Sequence, residues 1–241
     1  MKKVYLDVGN TTLTLAERAG LDWKILFRET IDQAEKNLND ILSLQEEIHI
    51  VTGSVRKDVT KLIRSLFSEE KFTVLRSSDI PEKYLNYKTP ETLGIDRFLT
   101  CFGAVHLYKS DVIVVDAGSA CTVDLMTNGN IYQGGVIFPG LRFLHQSVKT
   151  GLPELPAVDS NIPQHWPGKS TEECLQWGLN GMYIQTIQYF VQKFLKSNES
   201  STVVVTGGDS DQVFHYLNRE MEVHKAPFLI FEGMRAFEKF E

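Results

Sequence analysis

Val4-Tyr5-Leu6-Asp7-Val8-Gly9-Asn10-Thr11 and Val112-Ile113-Val114-Val115-Asp116-Ala117-Gly118-Ser119-Ala120 share one design. An aliphatic run ends on an acid, and a glycine follows two residues later. Each run reads as a strand and each Asp-x-Gly as the turn that closes it. After the first copy, Thr12-Leu13-Thr14-Leu15-Ala16 alternates with period 2, and Trp23 to Thr30 makes a third β-like run beyond Ala19-Gly20-Leu21-Asp22. Three such runs with turn residues between them predict an antiparallel meander. After the second copy, Cys121-Thr122-Val123-Asp124-Leu125-Met126 continues as a strand, Asn128-Gly129 predicts a hairpin turn, and Ile131 to Phe138 returns. The chain therefore reads as an internal duplication, with a period too long for a solenoid.

The remaining signals fit that plan. Ala34, Leu38, Ile41 and Leu42 give helical spacing over 32–44, Ile48 to Val51 is a short buried strand, and Val59, Leu62, Ile63 and Leu66 share one helical face over 56–67. Phe72 to Leu75 closes the first half, and a loop with Pro81 and Pro90 follows. In the second half, helical signals at 141–149 and 171–195 precede a strand at Thr202 to Val205, with further helices near 210–218 and 228–239. The expected architecture is α/β, with an N-terminal domain over 1–110 and a C-terminal domain over 111–241 facing each other across a cleft. Pro153, Pro156, Pro163 and Pro167 mark a long irregular connection, the kind of loop that often carries function.

Composition narrows the function classes. The 241 residues are 42% hydrophobic and 23% charged, with a net charge of −6, which excludes a general nucleic-acid or anionic-membrane binder. No apolar run approaches the ~20 residues of a membrane span. The N-terminus reaches Asp7 too early for a signal peptide. Cys101, Cys121 and Cys174 form no C-x-x-C pair, which points to a reduced, cytoplasmic protein without a zinc cluster, and the six histidines show no H-E-x-x-H arrangement.

The candidate chemistry sits in four places. The two Asp-x-Gly turns offer backbone N–H groups to a phosphate, while each carboxylate suits a cation or a metal-bound water better than the phosphate itself. Either turn taken singly also reads as an ordinary hairpin. Thr206-Gly207-Gly208-Asp209 follows a strand and precedes a helix, where paired glycines admit a flat base or a ribose. In Pro90-Glu91-Thr92-Leu93-Gly94-Ile95-Asp96-Arg97-Phe98, a helix start is expected at Thr89 with Pro90. Ile95, Phe98, Leu99 and Phe102 then form the buried stripe, leaving Asp96 and Arg97 off it. Asp96 near a helix N-terminus can accept a hydroxyl proton, and Arg97 can fork onto a carboxylate or phosphate. Gly168-Lys169-Ser170-Thr171 is not a Walker A loop, because its first glycine would fall at Pro163. Ser170 and Glu173 read instead as a capping box, with Thr171 at the helix start. Gly178 and Gly181 read as helix-packing points or as marks of a close dimer contact.

Taken in order, Asp7 to Thr11, Gly94-Ile95-Asp96-Arg97, Asp116 to Thr122, Gly134-Gly135-Val136-Ile137-Phe138-Pro139-Gly140 and Thr206-Gly207-Gly208 resemble the type III pantothenate kinase family, within the actin/Hsp70/sugar-kinase superfamily. The resemblance implies two duplicated ribonuclease H-like domains and ATP-dependent phosphorylation of pantothenate, the first step of coenzyme A biosynthesis. It implies ATP contacts from Asp7, Val8, Gly9, Asn10, Thr11, Thr12, Leu13, Thr14 and Ser119. It makes Asp96 the general base and gives pantothenate Tyr87, Gly94, Ile95, Asp96, Arg97 and Thr171. Asp116 would hold a monovalent cation, K+ or NH4+, beside Mg2+ carried with ATP, in a homodimer without nucleic-acid or membrane partners. Ser119 and Cys121 stand where the family usually has threonines. Ser119 keeps the hydroxyl, whereas Cys121 exchanges a good donor for a weak one. Two other readings fit parts of the pattern. One is a superfamily kinase or phosphohydrolase acting on a sugar, a carboxylic acid or polyphosphate, and the other is a non-catalytic accessory regulator.

Overall fold

The computed structural model describes residues 2–36, 48–54, 56–65 and 67–240. Two compact units are present: Met1–Lys109 with Met126–Gln133 and Phe228–Glu241, and Ser110–Leu125 with Gly134–Pro227. The division differs from a halving at 110/111, because the C-terminal segment groups with the first unit.

In the first unit, β1 (Lys2–Val8), β2 (Thr12–Ala19) and β3 (Asp22–Thr30) form the expected antiparallel meander. A register shift at Leu15/Ala16 marks a bulge between β2 and β3. Helix α1 (Ile31–Lys36) opens the predicted 32–44 helix, and positions 37–44 lie outside the described residues. Strands β4 (Ile48–Ser54) and β5 (Phe72–Leu75) add in parallel, with α2 (Lys57–Arg64) between them. The sheet order is β3-β2-β1-β4-β5. Alternation sets its two faces. Val4, Leu6, Val8, Leu13, Leu15, Ile50, Val59 and Ile63 make one core. The opposite face, with Tyr5 and Asp7, turns toward α3 (Ile95–Tyr108) and α8 (Leu229–Phe237), the last helix of the chain.

Those two helices meet backbone to backbone. A Cβ on Gly103 would lie 2.5 Å from Leu229 O and 2.7 Å from Gly233 N, and one on Gly233 would strike the Leu99 carbonyl oxygen. Phe98, Phe102, Phe237 and Phe240 interlock around that crossing. Glu232, buried on α8, accepts hydrogen bonds from Arg18 (2.5 Å) and Trp23 Nε1 (2.8 Å) and ties the helix to the meander.

The second unit repeats the plan. Strands β6 (Val112–Ala117), β7 (Ala120–Met126) and β8 (Tyr132–Pro139) run in succession. Helix α4 (Leu141–Gly151), helix α5 (Thr171–Gln176), a π turn (Trp177–Gly181) and α6 (Met182–Leu195) follow. Then come β9 (Thr202–Thr206), α7 (Ser210–Leu217) and the two-residue β10 (His224–Lys225). The sheet order β10-β9-β6-β7-β8 mirrors the first sheet, with the Asp-bearing strand central in both. The turn before β8 differs from expectation. Asn130, at φ 61, takes the left-handed position and its N–H bonds to Thr127 O at 2.9 Å. Asn128-Gly129 therefore sits inside a longer turn closed by Asn130, a bulged three-residue hairpin geometry rather than a two-residue one. The π turn inside the predicted 171–195 helix has no sequence signature beyond its glycines. Asn180 within it is fully buried and donates to Asp159 O (2.9 Å) and Asn161 O (2.7 Å), pinning part of the proline-rich connection. No described helix is long and apolar enough to cross a membrane.

Candidate active site

The first Asp-x-Gly turn leaves β1 at Val8 and re-enters the sheet at Thr12. Gly9 N donates to Thr12 O at 3.0 Å, and Ile31 N donates to Thr11 O at 3.1 Å, so both ends of the turn are tied down. Val8 and Leu13 point into the core at 1% exposure each, and Thr14 is buried too. Ligand contacts at Val8 and Leu13 are therefore limited to their main-chain atoms. Gly9, Asn10, Thr11 and Thr12 remain partly or fully exposed. Arg56, which the sequence reading missed, brings its guanidinium to Asn10 O at 3.4 Å.

Asp7 stands opposite Thr14, which in turn stands opposite Arg28. Its carboxyl is pushed up from 3.8 to about 7, first by burial and then by the charge of Asp96, with Arg28 pulling the other way. The two carboxylates are thus electrostatic neighbours, although nearly ninety residues separate them in the chain. Asp96 reaches this position because α3 starts later than predicted. Pro90–Thr92 spends the proline signal on a single 3-10 turn, Leu93 and Gly94 are extended, and the helix begins at Ile95. Asp96 lies in its first turn, partly exposed, with its Oδ1 accepting the Arg97 N–H at 2.9 Å.

Arg97 corrects the sequence reading. It is not off the buried stripe but 8% exposed, with its Cζ 5.8 Å from the centre of the Tyr132 ring. Tyr87 meets the same ring at 5.7 Å, so Gly94 to Arg97 and Tyr87 are gathered within the first unit. Tyr132 carried no signal in the sequence beyond its place in a β-like run.

In the second unit, two motifs that are far apart in sequence form one structure. Gly207, at φ 93, lies so close to the Asp116 turn that a Cβ there would sit 2.5 Å from Asp116 Oδ1 and 2.6 Å from Ala117 O. Asp209 N donates to Ala117 O at 2.9 Å. Gly140 closes the other side: its N–H bonds to Ser119 O at 3.0 Å, and a Cβ would strike Gly118 O. Asp116 thus occupies a cradle of glycine backbone. Burial raises the Asp209 carboxyl beside it, against the pull of Arg142. Cys121 is buried in the core of the second unit, and burial first, then the charges of Asp116, Asp209 and Asp124, push its thiol up to about 12 against the pull of Tyr183. The threonine-to-cysteine exchange therefore concerns core packing rather than a ligand donor. Thr171 is exposed at the start of α5, where Ser170 Oγ accepts the Glu173 N–H at 3.2 Å, while the Glu173 carboxylate takes the Lys169 N–H at 2.6 Å, one residue before the N-cap the capping box predicts.

A sequence model of the type III pantothenate kinase family matches residues 3–193. The chain belongs to that family. Type III pantothenate kinase from Flavobacterium psychrophilum is 32% identical over 215 residues, covering 86% of each chain. The Sulfurihydrogenibium enzyme of the same name is 27% identical over 229 residues, covering 88% of this chain and 90% of its own. Among solved structures, a conserved Campylobacter jejuni protein assigned provisionally to the Baf family of transcriptional activators superposes with a TM-score of 0.66 at 23% identity, covering 98% of this chain and 97% of its own. Component A of (R)-2-hydroxyglutaryl-CoA dehydratase from Acidaminococcus fermentans gives 0.54 at 13% identity, covering 98% of both. At such identities these likenesses establish the fold alone, which is that of the actin/Hsp70/sugar-kinase group. Among the described residues, no group of three or more His, Cys, Asp or Glu side chains is arranged to hold a metal.

Proposed function

We propose that this chain catalyses ATP-dependent phosphorylation of pantothenate to 4'-phosphopantothenate, the first step of coenzyme A biosynthesis. The observation that carries the reading is the pairing of Asp96, in the first turn of α3, with Asp7 at the phosphate-type turn of β1. Family membership supplies the substrate class. Asp7 to Thr14 cradle the nucleotide phosphates through main-chain N–H groups, with Ser119 adding a hydroxyl. Tyr87, Gly94 to Arg97 and Thr171 hold pantothenate. Magnesium bound with ATP supplies charge neutralisation at the transferred phosphoryl group, and the crowded Asp7–Asp96 pair fits a site that a divalent cation relieves. Asp116 in its glycine cradle holds the monovalent cation, K+ or NH4+.

Phosphoryl transfer asks for positioning and charge neutralisation more than covalent help. The pantothenate hydroxyl oxygen forms a bond to the γ-phosphorus as the bond to the β–γ bridging oxygen breaks and ADP departs. Asp96 takes the hydroxyl proton late in that step, because the alcohol's own pKa lies far above that of a carboxyl group. The enzyme works as a cytoplasmic homodimer in this reading. The test is a coupled ADP assay with pantothenate, with a hexose and with no acceptor, run in potassium and then in sodium. Pantothenate-dependent ADP release favoured by potassium is expected. Release with hexose or water alone would assign the chain to another superfamily activity, and stable partner binding without turnover would assign it to regulation.

A further inference from the structure

Tyr132 is the first residue of β8, is fully buried, and belongs to the first unit. Its carbonyl oxygen accepts the Asn86 N–H at 2.9 Å, and an isolated parallel bridge pairs it with Leu85. Next to that anchored backbone, Tyr87 packs its ring 5.7 Å from the Tyr132 ring. From a different segment, Arg97 lays its guanidinium 5.8 Å from the same ring centre. One buried side chain thus touches two residues that the proposed function places against pantothenate, and its backbone fixes the loop that carries one of them.

The chemistry of this contact differs from ordinary core packing. An aromatic face attracts a guanidinium without neutralising it. A ring beside the guanidinium also restricts where its N–H fork can point.

We propose that Tyr132 is a positioning residue for the acceptor, its ring orienting Arg97 toward the pantothenate carboxylate while its main chain holds the Tyr87 loop. The inference rests on the proposed function. Its test is steady-state kinetics on the full chain, varying pantothenate and ATP separately, with the carboxylate-free analogue pantothenol as a second acceptor. Tyr132→Phe keeps the ring face and should hold KM for pantothenate within about twofold. Tyr132→Leu should raise that KM about five- to thirtyfold, the range set by a desolvated cation–π contact, with kcat and KM for ATP little changed. The loss should shrink with pantothenol, which offers Arg97 no carboxylate. If the Leu variant does not fold, Tyr132→Met fills the volume with a flexible chain and takes the same comparison. A folded Leu or Met variant with an unchanged KM for pantothenate, or an equal loss for ATP, would overturn the inference. Collapse of both variants beside a wild-type-like Phe variant would also overturn it, assigning the ring to structure alone. A wild-type enzyme without pantothenate-dependent turnover would instead remove the proposed function beneath it.

Discussion

Replacing the Asp7 carboxylate by the isosteric amide of Asn probes the site without requiring turnover. In the folded chain the Asp7 carboxyl titrates at about 7, against 3.8 without its surroundings. A raised carboxyl pKa means that the native state binds the proton more tightly than the unfolded chain. The stability attached to this group is therefore greatest below pH 4 and is lost as pH rises toward 7. A gap of roughly three units corresponds to about 4 kcal/mol in total. About 2–3 kcal/mol of that falls between pH 5 and pH 8, and relaxation around a partly exposed group brings the working figure to about 1–2 kcal/mol. Asn carries no proton to lose, so the Asp7→Asn variant escapes this change. Its Tm should rise relative to wild type by about 2–8 °C on going from pH 5 to pH 8, at about 2–4 °C per kcal/mol for a chain of this size. The melts are run in chelator without nucleotide, because a bound cation would relieve the same strain in the wild type. Asp96→Asn should narrow the wild-type pH swing, since the Asp96 charge is the second cause of the shift. A Tm difference that stays flat or shrinks between pH 5 and pH 8 would refute the electrostatic pairing of the two carboxylates.

Asp96→Asn should bind ATP in a calorimetric titration yet turn over pantothenate at least ~100-fold more slowly, the usual contribution of a general base; full turnover would remove Asp96 from the mechanism. Gly103→Ala drives a methyl group into the Leu229 and Gly233 backbone, which no side-chain rotation relieves. A loss of about 1–3 kcal/mol is expected, read as a Tm lower by about 2–12 °C, and an unshifted melt would show that α3 and α8 separate freely. Gly207→Ala strains a φ of 93 and pushes on Asp116. Its activity should lose the preference for potassium over sodium, and a retained preference would dissociate the cradle from cation binding.

The strands were legible because a central strand buried on both faces must be aliphatic, and Val112 to Val115 and Val203 to Val205 are exactly that kind of run by burial as well as by composition. The duplication was legible for the same reason, with both sheets placing the Asp-bearing strand in the middle. What escaped depends on partners that local pattern does not encode. Arg97 looks like a surface residue by helical spacing, yet Tyr132, brought in from a distant turn, covers it. Pro90 gave a true helix-start signal that a single 3-10 turn absorbs, because Leu93 and Gly94 take extended angles before α3 begins. The C-terminal helix was legible as a helix, but its place beside α3 depends on Gly103 and Gly233, two glycines whose meaning appears only when their backbones touch.

The two Asp-x-Gly turns, alike in sequence, differ in what the fold packs beside each. Asp7 shares its face of the sheet with α3, which presents a second carboxylate, so a lone proton or a cation is the natural third party there. Asp116 lies against the backbone of Gly207 and Gly118, and Asp209, whose carboxyl burial raises, is tied to the same turn through Ala117 O. The duplication thus kept the acid and the glycine in both copies while the neighbouring elements differ. Asp209→Asn tests the second turn: it removes the raised carboxyl, and because such a carboxyl loses its stabilising contribution as pH rises through its folded value, the Tm of the variant should gain on wild type with rising pH. A Tm difference that does not grow with pH would mean that the Asp209 carboxyl is not raised in the folded protein.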